Sequence, residues 1–373
     1  MTRVAGAEPI RIAIAGTGNI ARSHARAILA SQGTASQGQA ATLVAAMDVD
    51  ESRLRPFCAE FAIPGGYREL AGLLSQARPD LVHVCTPPST HHPVAMACLR
   101  SGASVLVEKP PVVSLREFDE LAAAAPGPPW FATVFQHRFG AAQRHLKELT
   151  ASGALGRPLL AVCHTTWFRD QAYFGVPWRG RWKTEGGGPT MGHGIHQMDM
   201  LLDVLGDWAE VSAIARTQAR SVATEDLSLA HVTFTSGAVA SVVNSVLSPR
   251  EESYLRFDFE RATVELTHLY GYEDEDWRVT PAPGWHDEVR DAWQHAKDGA
   301  GGGRTGHAAQ FPHVLAALRE GRPPPVTPPE ARRTIALIAG IYASAFTRRP
   351  VTPAGLAPDT AFYREMNGGR QAW

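Results

Sequence analysis

The feature that most constrains this chain is a strand, a glycine turn and a helix in immediate succession. "IRIAIAG" starts at residue 10 and runs straight into "TGNIARSHARAILA", which ends at residue 30. The first run is short, apolar and rich in β-formers, whereas the second carries apolar residues at helical spacing. The alternation continues with strand "TLVAAMD" (42–48), helix "ESRLRPFCAEFA", strand "LVHVCTP" (81–87), helix "HPVAMACLRSG" and strand "SVLVEKP" (104–110). Apolar strands that alternate with helices assemble as a parallel sheet covered on both faces, so an α/β, doubly wound sheet is expected. The polar stretch "SQGTASQGQA" (31–40) reads as a loop insertion ahead of the second strand.

After Pro126 the texture changes. Strand "WFATVFQH" and the amphipathic helix "AAQRHLKELTASG" precede several β-rich runs: "LLAVCHTTWF", "EVSAIARTQA", "SLAHVTFTSGAVASVVNSVL" and "LRFDFERATVELTHL". In the third of these, "TSG" separates two alternating segments as a hairpin turn does. A second, mostly antiparallel sheet follows from this pattern. "DGAGGGRTGH" (298–307) reads as a flexible loop, and "PPEARRTIALIAGIYASAF" as a closing helix over about 329–347 with proline at its start. The expected division is a doubly wound α/β domain over 1–130 and an α+β domain over 131–373.

Charge and length narrow the function. A chain of 373 residues accommodates two domains of ordinary size. Its 36 Lys plus Arg nearly cancel its 37 Asp plus Glu, so no basic field points to nucleic acid or an anionic membrane. Small ligands fit better. Cys58, Cys85, Cys98 and Cys163 form no C-x-x-C pair, which suits a reducing compartment. The start of the chain has no apolar stretch of signal-peptide length, and no window reaches the roughly 18 apolar residues of a membrane span. A cytoplasmic location is expected.

In "GTGNIA" the residues Gly16, Gly18 and Ala21 have the spacing of a dinucleotide fingerprint, with Asn19 and Ile20 inside the same turn. Gly16 permits the tight turn, Gly18 lets a pyrophosphate approach the backbone, and the helix N-terminus attracts its charge. Asp48 ends the second strand, where a carboxylate accepts hydrogen bonds from the adenosine ribose hydroxyls and repels a 2′-phosphate. NAD is expected in preference to NADP.

"CTPPSTHHPVAMACLRSGASVLVEKP" (85–110), "QHRF" (136–139), "SGALGRP" (152–158), the triple-glycine segment "GGGPTMGHGIHQMDMLLDVLG" (186–206) and the closing helix together resemble the Gfo/Idh/MocA oxidoreductase family. The resemblance implies a Rossmann domain followed by an α/β domain whose open sheet serves in a homodimer or homotetramer. It implies a lysine at Lys109 that is catalytic, and it carries Thr86, Pro87, His91 and Glu108 to the cofactor side. Independently of the family, Lys109 follows a parallel strand at the carboxyl edge, where ligands bind in open α/β sheets. An ammonium there could exchange a proton with a substrate hydroxyl. The Lys109–Pro110 bond is of the kind that tolerates a cis peptide.

Gly186 to Gly188 read as a flexible entry to a nicotinamide and substrate pocket. The helix after them presents His196, Asp199 and Asp203 on one stripe. His196 stands near the helix N-terminus, whose dipole favours a neutral ring, and it matches the family's active-site histidine. One departure matters: where the family carries an aspartate four residues before that histidine, this chain has Gly192, with His193 beside it. Either His193 substitutes, or Lys109 and His196 suffice, or the chemistry has drifted.

His193, His196 and Asp199 also have a spacing that metal ligands could use, but the resemblance implies no metal, and none is expected. Trp182, with Trp167, Arg169, Tyr173, Trp178 and Arg179, supplies side chains suited to a sugar face or to packing. His137 and Arg138 are further pocket candidates. The expectation is therefore an NAD-dependent oxidoreductase acting on a sugar, inositol or related polyol. A non-catalytic regulator of the same fold, or a nicotinamide-assisted glycosidase or lyase, stays open.

Overall fold

The apolar runs at the start of the chain become strands because their side chains have two covered faces to fill. In the computed structural model, which describes residues 8–31, 41–300 and 304–370, Ile12 to Ala15 are fully buried. Six strands, β1 (Ile10–Ala15), β2 (Ala41–Met47), β3 (Gly65–Tyr67), β4 (Leu81–Val84), β5 (Ser104–Val107) and β6 (Phe131–Thr133), form one sheet in the order β3-β2-β1-β4-β5-β6. Every pairing in it is parallel. The order reverses between β1 and β4, which makes the carboxyl ends of those strands a switch point. The polar insertion at 32–40 lies outside the described residues.

Seven further strands, β7 (Pro158–Phe168), β8 (Trp208–Arg216), β9 (Leu227–Phe234), β10 (Val239–Ser245), β11 (Leu247–Phe259), β12 (Ala262–His268) and β13 (Trp277–Pro281), build the second sheet. Its order is β13-β12-β11-β7-β10-β9-β8. All its pairings are antiparallel except β7 with β10. The expected hairpin joins β9 to β10, and Gly237 takes the positive φ of 88° that its turn needs. β13 escaped the sequence reading because a five-residue edge strand bearing arginine and ending in proline lacks an apolar signature.

The chain divides into two compact units, and the boundary differs from the one expected at 130. The first gathers Met1–Val112, Glu117–Val134 and His307–Pro329; the second gathers Val113–Arg116, Phe135–Gly306 and Glu330–Trp373. The segment from His307 returns to the first unit because Phe311, Val314 and Leu315 join the core built by Ile12, Ile14, Ala21 and Ile28. At roughly 1.5–3 kcal/mol for each large apolar side chain fully buried, those three residues outweigh their sequence distance. The stretch read as a loop over 298–307 is in part helical: the helix His286–Ala300 reaches into it and the helix His307–Arg319 begins at its end.

The second sheet carries polar and apolar side chains by face. On β9 the residues 228, 230, 232 and 234 are buried while Leu229, His231 and Thr233 are exposed. Register sets Ile214, Leu229 and Val243 side by side on that outward face, with Val239 beside Leu160 further along it. Among the described residues, no helix is long and apolar enough to cross a membrane.

Candidate functional site

The glycine turn of the first unit is shaped as its spacing predicts. Gly16 has φ +90°, and a Cβ there would stand 2.8 Å from backbone atoms of Cys85 and Thr86, so only glycine lets β1 and β4 end so close together. Gly18 is the N-cap of the helix Asn19–Ala30; it offers no capping side chain, and a Cβ on it would meet nothing within 4 Å. The Ala21 amide closes the first turn by donating to the Gly18 carbonyl at 3.1 Å, and the open space at Gly18 lies at a positive helix end, which fits a pyrophosphate.

Asp48 sits where the second strand ends. Its Oδ2 accepts from the Thr17 amide at 2.8 Å and the Thr17 hydroxyl at 2.9 Å, and its Oδ1 accepts from the Asp50 amide at 2.9 Å. A carboxylate has about four acceptor positions, so three are committed to holding the turn and one is left for a ribose hydroxyl. Asp48 is an anchor for the turn before it is a ligand.

Thr86 follows β4 and Lys109 follows β5, so both stand at the carboxyl edge shared with Gly16 and Asp48. The Lys109–Pro110 peptide is cis. His91 and Glu108, carried to the cofactor side by family likeness, are engaged elsewhere. The His91 ring places Nδ1 2.8 Å from the Pro110 carbonyl and Nε2 2.7 Å from the Thr86 carbonyl, so it braces backbone. Glu108 turns inward: Oε1 accepts from His24 at 2.8 Å and from His307 at 2.7 Å, and Oε2 accepts the Lys109 amide at 2.9 Å. His24 and His307 were not singled out in the sequence, because one lies inside a helix and the other nearly 200 residues beyond Glu108.

In the second unit, His196 is buried at the start of the helix Ile195–Leu205, and its ring stacks on His137 with centroids 4.4 Å apart and planes 16° apart. Tyr270 meets both rings edge-on, and His268 meets His137. Gln197 bonds His268 at 3.1 Å. Burial lowers the His268 imidazole to about 4, so it is neutral at ordinary pH. A wall of stacked imidazoles and a phenol offers the apolar faces and polar edges that polyhydroxylated ligands use.

The polar stripe expected on the helix Ile195–Leu205 does not face solvent, since every residue of that helix is buried. Asp199 takes both arms of the Arg138 guanidinium at 2.6 Å and accepts the Thr334 hydroxyl at 2.9 Å. Asp203 accepts from Arg138 at 3.1 Å and from Lys147 at 2.7 Å. Burial opposes the charge on Arg138, but Asp199 and Asp203 hold its pKa above the usual value. Arg138 and Asp199 therefore form a buried ion network and are withdrawn as substrate contacts. The metal set of His193, His196 and Asp199 is not assembled, because Asp199 is committed there. Trp182 packs on Tyr342 and Phe346 and donates its indole N–H to the Ala223 carbonyl at 2.8 Å, which makes it a packing residue.

The triple glycine has a different cause from the flexible entry expected. A Cβ on Gly187 would lie 2.1 Å from the Tyr342 hydroxyl, and one on Gly188 would lie 1.9 Å from the Glu225 carbonyl oxygen. Buried Glu225 accepts the Gly188 and Thr190 amides at 3.0 Å each and the Tyr342 hydroxyl at 2.8 Å. The glycines are there so that backbone can close onto that carboxylate.

Near Gly192 the structure supplies a carboxylate the sequence did not reveal. A Cβ on Gly192 would stand 3.7 Å from Oε1 of Glu185, which is buried, accepts the Gly180 amide at 2.6 Å and lies 3.4 Å from Arg179. Arg179 in turn donates to the Tyr173 hydroxyl, which lies 3.4 Å from Nε2 of His193. Trp167 meets the His193 ring edge-on. Seven residues before Gly192, Glu185 could have been noticed only by asking which acid neighbours the vacancy in space.

Residues 10–128 match the model of an oxidoreductase family with an NAD-binding Rossmann fold, and residues 143–267 match the GFO/IDH/MocA C-terminal domain. The chain belongs to the GFO/IDH/MocA oxidoreductase family. This family member is 26% identical over 288 residues to D-glucoside 3-dehydrogenase of Escherichia coli K12, covering 70% of this chain and 79% of the relative. It is 24% identical over 389 residues to D-apiose dehydrogenase of Paraburkholderia graminis, covering 96% and 93% respectively. The WlbA dehydrogenase of Bordetella pertussis, solved with NADH and UDP-GlcNAcA, shares the fold with a TM-score of 0.79 at 23% identity, over 92% of this chain and 99% of that one. As a member of this family the chain is an NAD-dependent oxidoreductase.

Proposed function

We propose that this oxidoreductase interconverts a secondary alcohol and a ketone on a sugar, inositol or related polyol. The observation that carries the reading is the shared carboxyl edge of β1, β2, β4 and β5, which presents the glycine turn, Asp48, Thr86 and Lys109 together. The relatives named as D-glucoside, D-apiose and myo-inositol dehydrogenases support the substrate class. Bound NAD supplies the carbon that accepts or returns hydride. In the oxidative direction the hydroxyl proton passes to Lys109 or to His196, and in the reductive direction either group returns it. His137, Tyr270 and His193 are the side chains of the second unit assigned to the substrate.

The vacancy at Gly192 supports a second reading, a regulator that binds nucleotide without turnover. Incubation with NAD and a panel of sugars and inositols, following NADH absorbance, separates the two. Turnover of a panel member supports the enzyme, while NAD binding without turnover of any carbohydrate supports the regulator.

A cytoplasmic location and a homo-oligomer complete the proposal. The outward row of Ile214, Leu229 and Val243, with Leu160 and Val239 beside it, is an apolar face that self-association would cover. Light scattering tests it: the native chain should exceed monomer mass, and Leu229→Arg should reduce it.

A further inference from the structure

Three imidazoles and one carboxylate gather inside the first unit, with the carboxylate at the exit of β5. Glu108 Oε1 receives His24 Nε2 and His307 Nε2, and the His24 ring continues through Nδ1 to His83 Nδ1 at 2.7 Å. The donors come from three separate elements: the helix Asn19–Ala30, the exit of β5, and the first residue of the helix His307–Arg319. Among the described residues, His24, Glu108 and His307 are the group of side chains near enough to share an ion, with one ligand atom from each within 4.8 Å of the others.

A second observation points the same way. A cavity of about 10 Å³, room for one water-sized occupant, is bordered by His24, His83, His307 and Gln310. His83 Nε2 and Gln310 Oε1 are buried there with no hydrogen-bond partner, although each residue is only 1% exposed. Buried polar atoms are normally satisfied, so two of them beside one cavity mark a place for an occupant.

Donor chemistry decides what kind. A buried carboxylate carries a cost that a cation bound beside it would offset. Two imidazole nitrogens and a carboxylate oxygen are donors that divalent metal ions accept.

We infer that His24 Nε2, His307 Nε2 and the Glu108 carboxylate form a site for a divalent transition-metal ion of the zinc class, with the cavity supplying the remaining coordination position. Two imidazoles and a carboxylate are a recognised zinc set. Ligand bonds of about 2.0–2.1 Å require the donors to open by roughly half an ångström from hydrogen-bond spacing. His24 then carries its hydrogen on Nδ1 and donates it to His83, the outer partner that fixes a ligating ring. His307, the least buried of the three, is the way in. The ion would clip the returning segment at His307 to the exit of β5. Because Glu108 Oε2 also holds the Lys109 amide, the ion would stiffen the backbone on which Lys109 stands.

The test uses the full chain freed of metal with a chelator and then titrated with Zn²⁺ alone. One saturating equivalent in calorimetry is expected, with a rise in Tm and an anomalous zinc peak bounded by His24, His307 and Glu108 in crystals. His307→Ala should weaken binding by at least about tenfold, while His193→Ala leaves it unchanged. Absence of saturable binding overturns the site, as does full-strength binding in His307→Ala or zinc density at the histidines of the second unit. If His307→Ala does not fold, the anomalous map of the native chain decides alone. None of these readouts is turnover, so the result is independent of the proposed reaction.

Discussion

Nδ1 of His91 lies 2.8 Å from the carbonyl oxygen of Pro110, the residue that follows Lys109. Its other nitrogen faces the Thr86 carbonyl, so one buried ring ties the exits of β4 and β5 together. Burial lowers its pKa, so the neutral ring has one N–H to donate, and removing it takes that hydrogen bond from one of the two carbonyls. His91→Ala should lose about 1–3 kcal/mol of stability in urea unfolding and lower kcat, because Lys109 is no longer held. Unchanged stability would show that the ring braces nothing.

Asp48 should govern cofactor choice, since its remaining acceptor position favours a free ribose hydroxyl and opposes a phosphate. The native chain is expected to bind NAD more tightly than NADP in calorimetry. Asp48→Ser should cost NAD at least about tenfold, about 1.4 kcal/mol, partly because Thr17 loses its anchor. Tighter binding of NADP by the native chain would refute the assignment.

The proposed proton transfer assigns the exchange to Lys109 and His196. General acid–base groups contribute about 10²–10⁴-fold, so Lys109→Ala and His196→Ala should each lower kcat by that order and leave NAD affinity nearly intact. His193→Ala should cost less than either, because its ring is held by Trp167 and Tyr173. Near-normal turnover in both of the first two variants would favour the regulator.

Restoring the family aspartate should not help this chain. In Gly192→Asp the new carboxylate would approach Glu185, and like charges about 4 Å apart repel by about 1 kcal/mol in water and about 4 kcal/mol near a protein surface. The variant should be less stable, and adding Glu185→Gln should recover part of the loss, a coupling that a double-mutant cycle reads directly. A stable Gly192→Asp with raised turnover would contradict it.

Acid should weaken the fold partly through His268. Its folded value of about 4 lies below the ordinary 6.5, so the unfolded chain takes up a proton that the folded one refuses. That stability is fully present above pH 6.5 and is lost as pH falls towards 4, by about 3 kcal/mol in total. Urea unfolding at pH 7 and pH 5 should show a smaller difference in His268→Asn than in the native chain. Equal pH dependence in both would remove His268 from the effect.

Much of this protein was legible from local pattern. The glycine turn, the alternation through residue 110 and the hairpin at Gly237 could be read because each is encoded within about twenty residues by hydrophobic period and turn chemistry. The same holds for Lys109 at a strand's carboxyl end and His196 at a helix start. What sequence alone determined was therefore the two sheets, the dinucleotide turn and the positions of two proton-transfer candidates.

Only the tertiary structure decided how the polar residues are partnered. Asp199 looked available until Arg138, 61 residues away, closed on it. Glu108 looked like a cofactor residue until His24 and His307 turned it inward, and the triple glycine looked flexible until Glu225 and Tyr342 filled the space its missing side chains leave. Hydrophobic period records whether a residue is buried, but a buried charge must be matched atom by atom with a partner. In this chain those partners come from distant elements, and their approach leaves no periodic trace in the sequence.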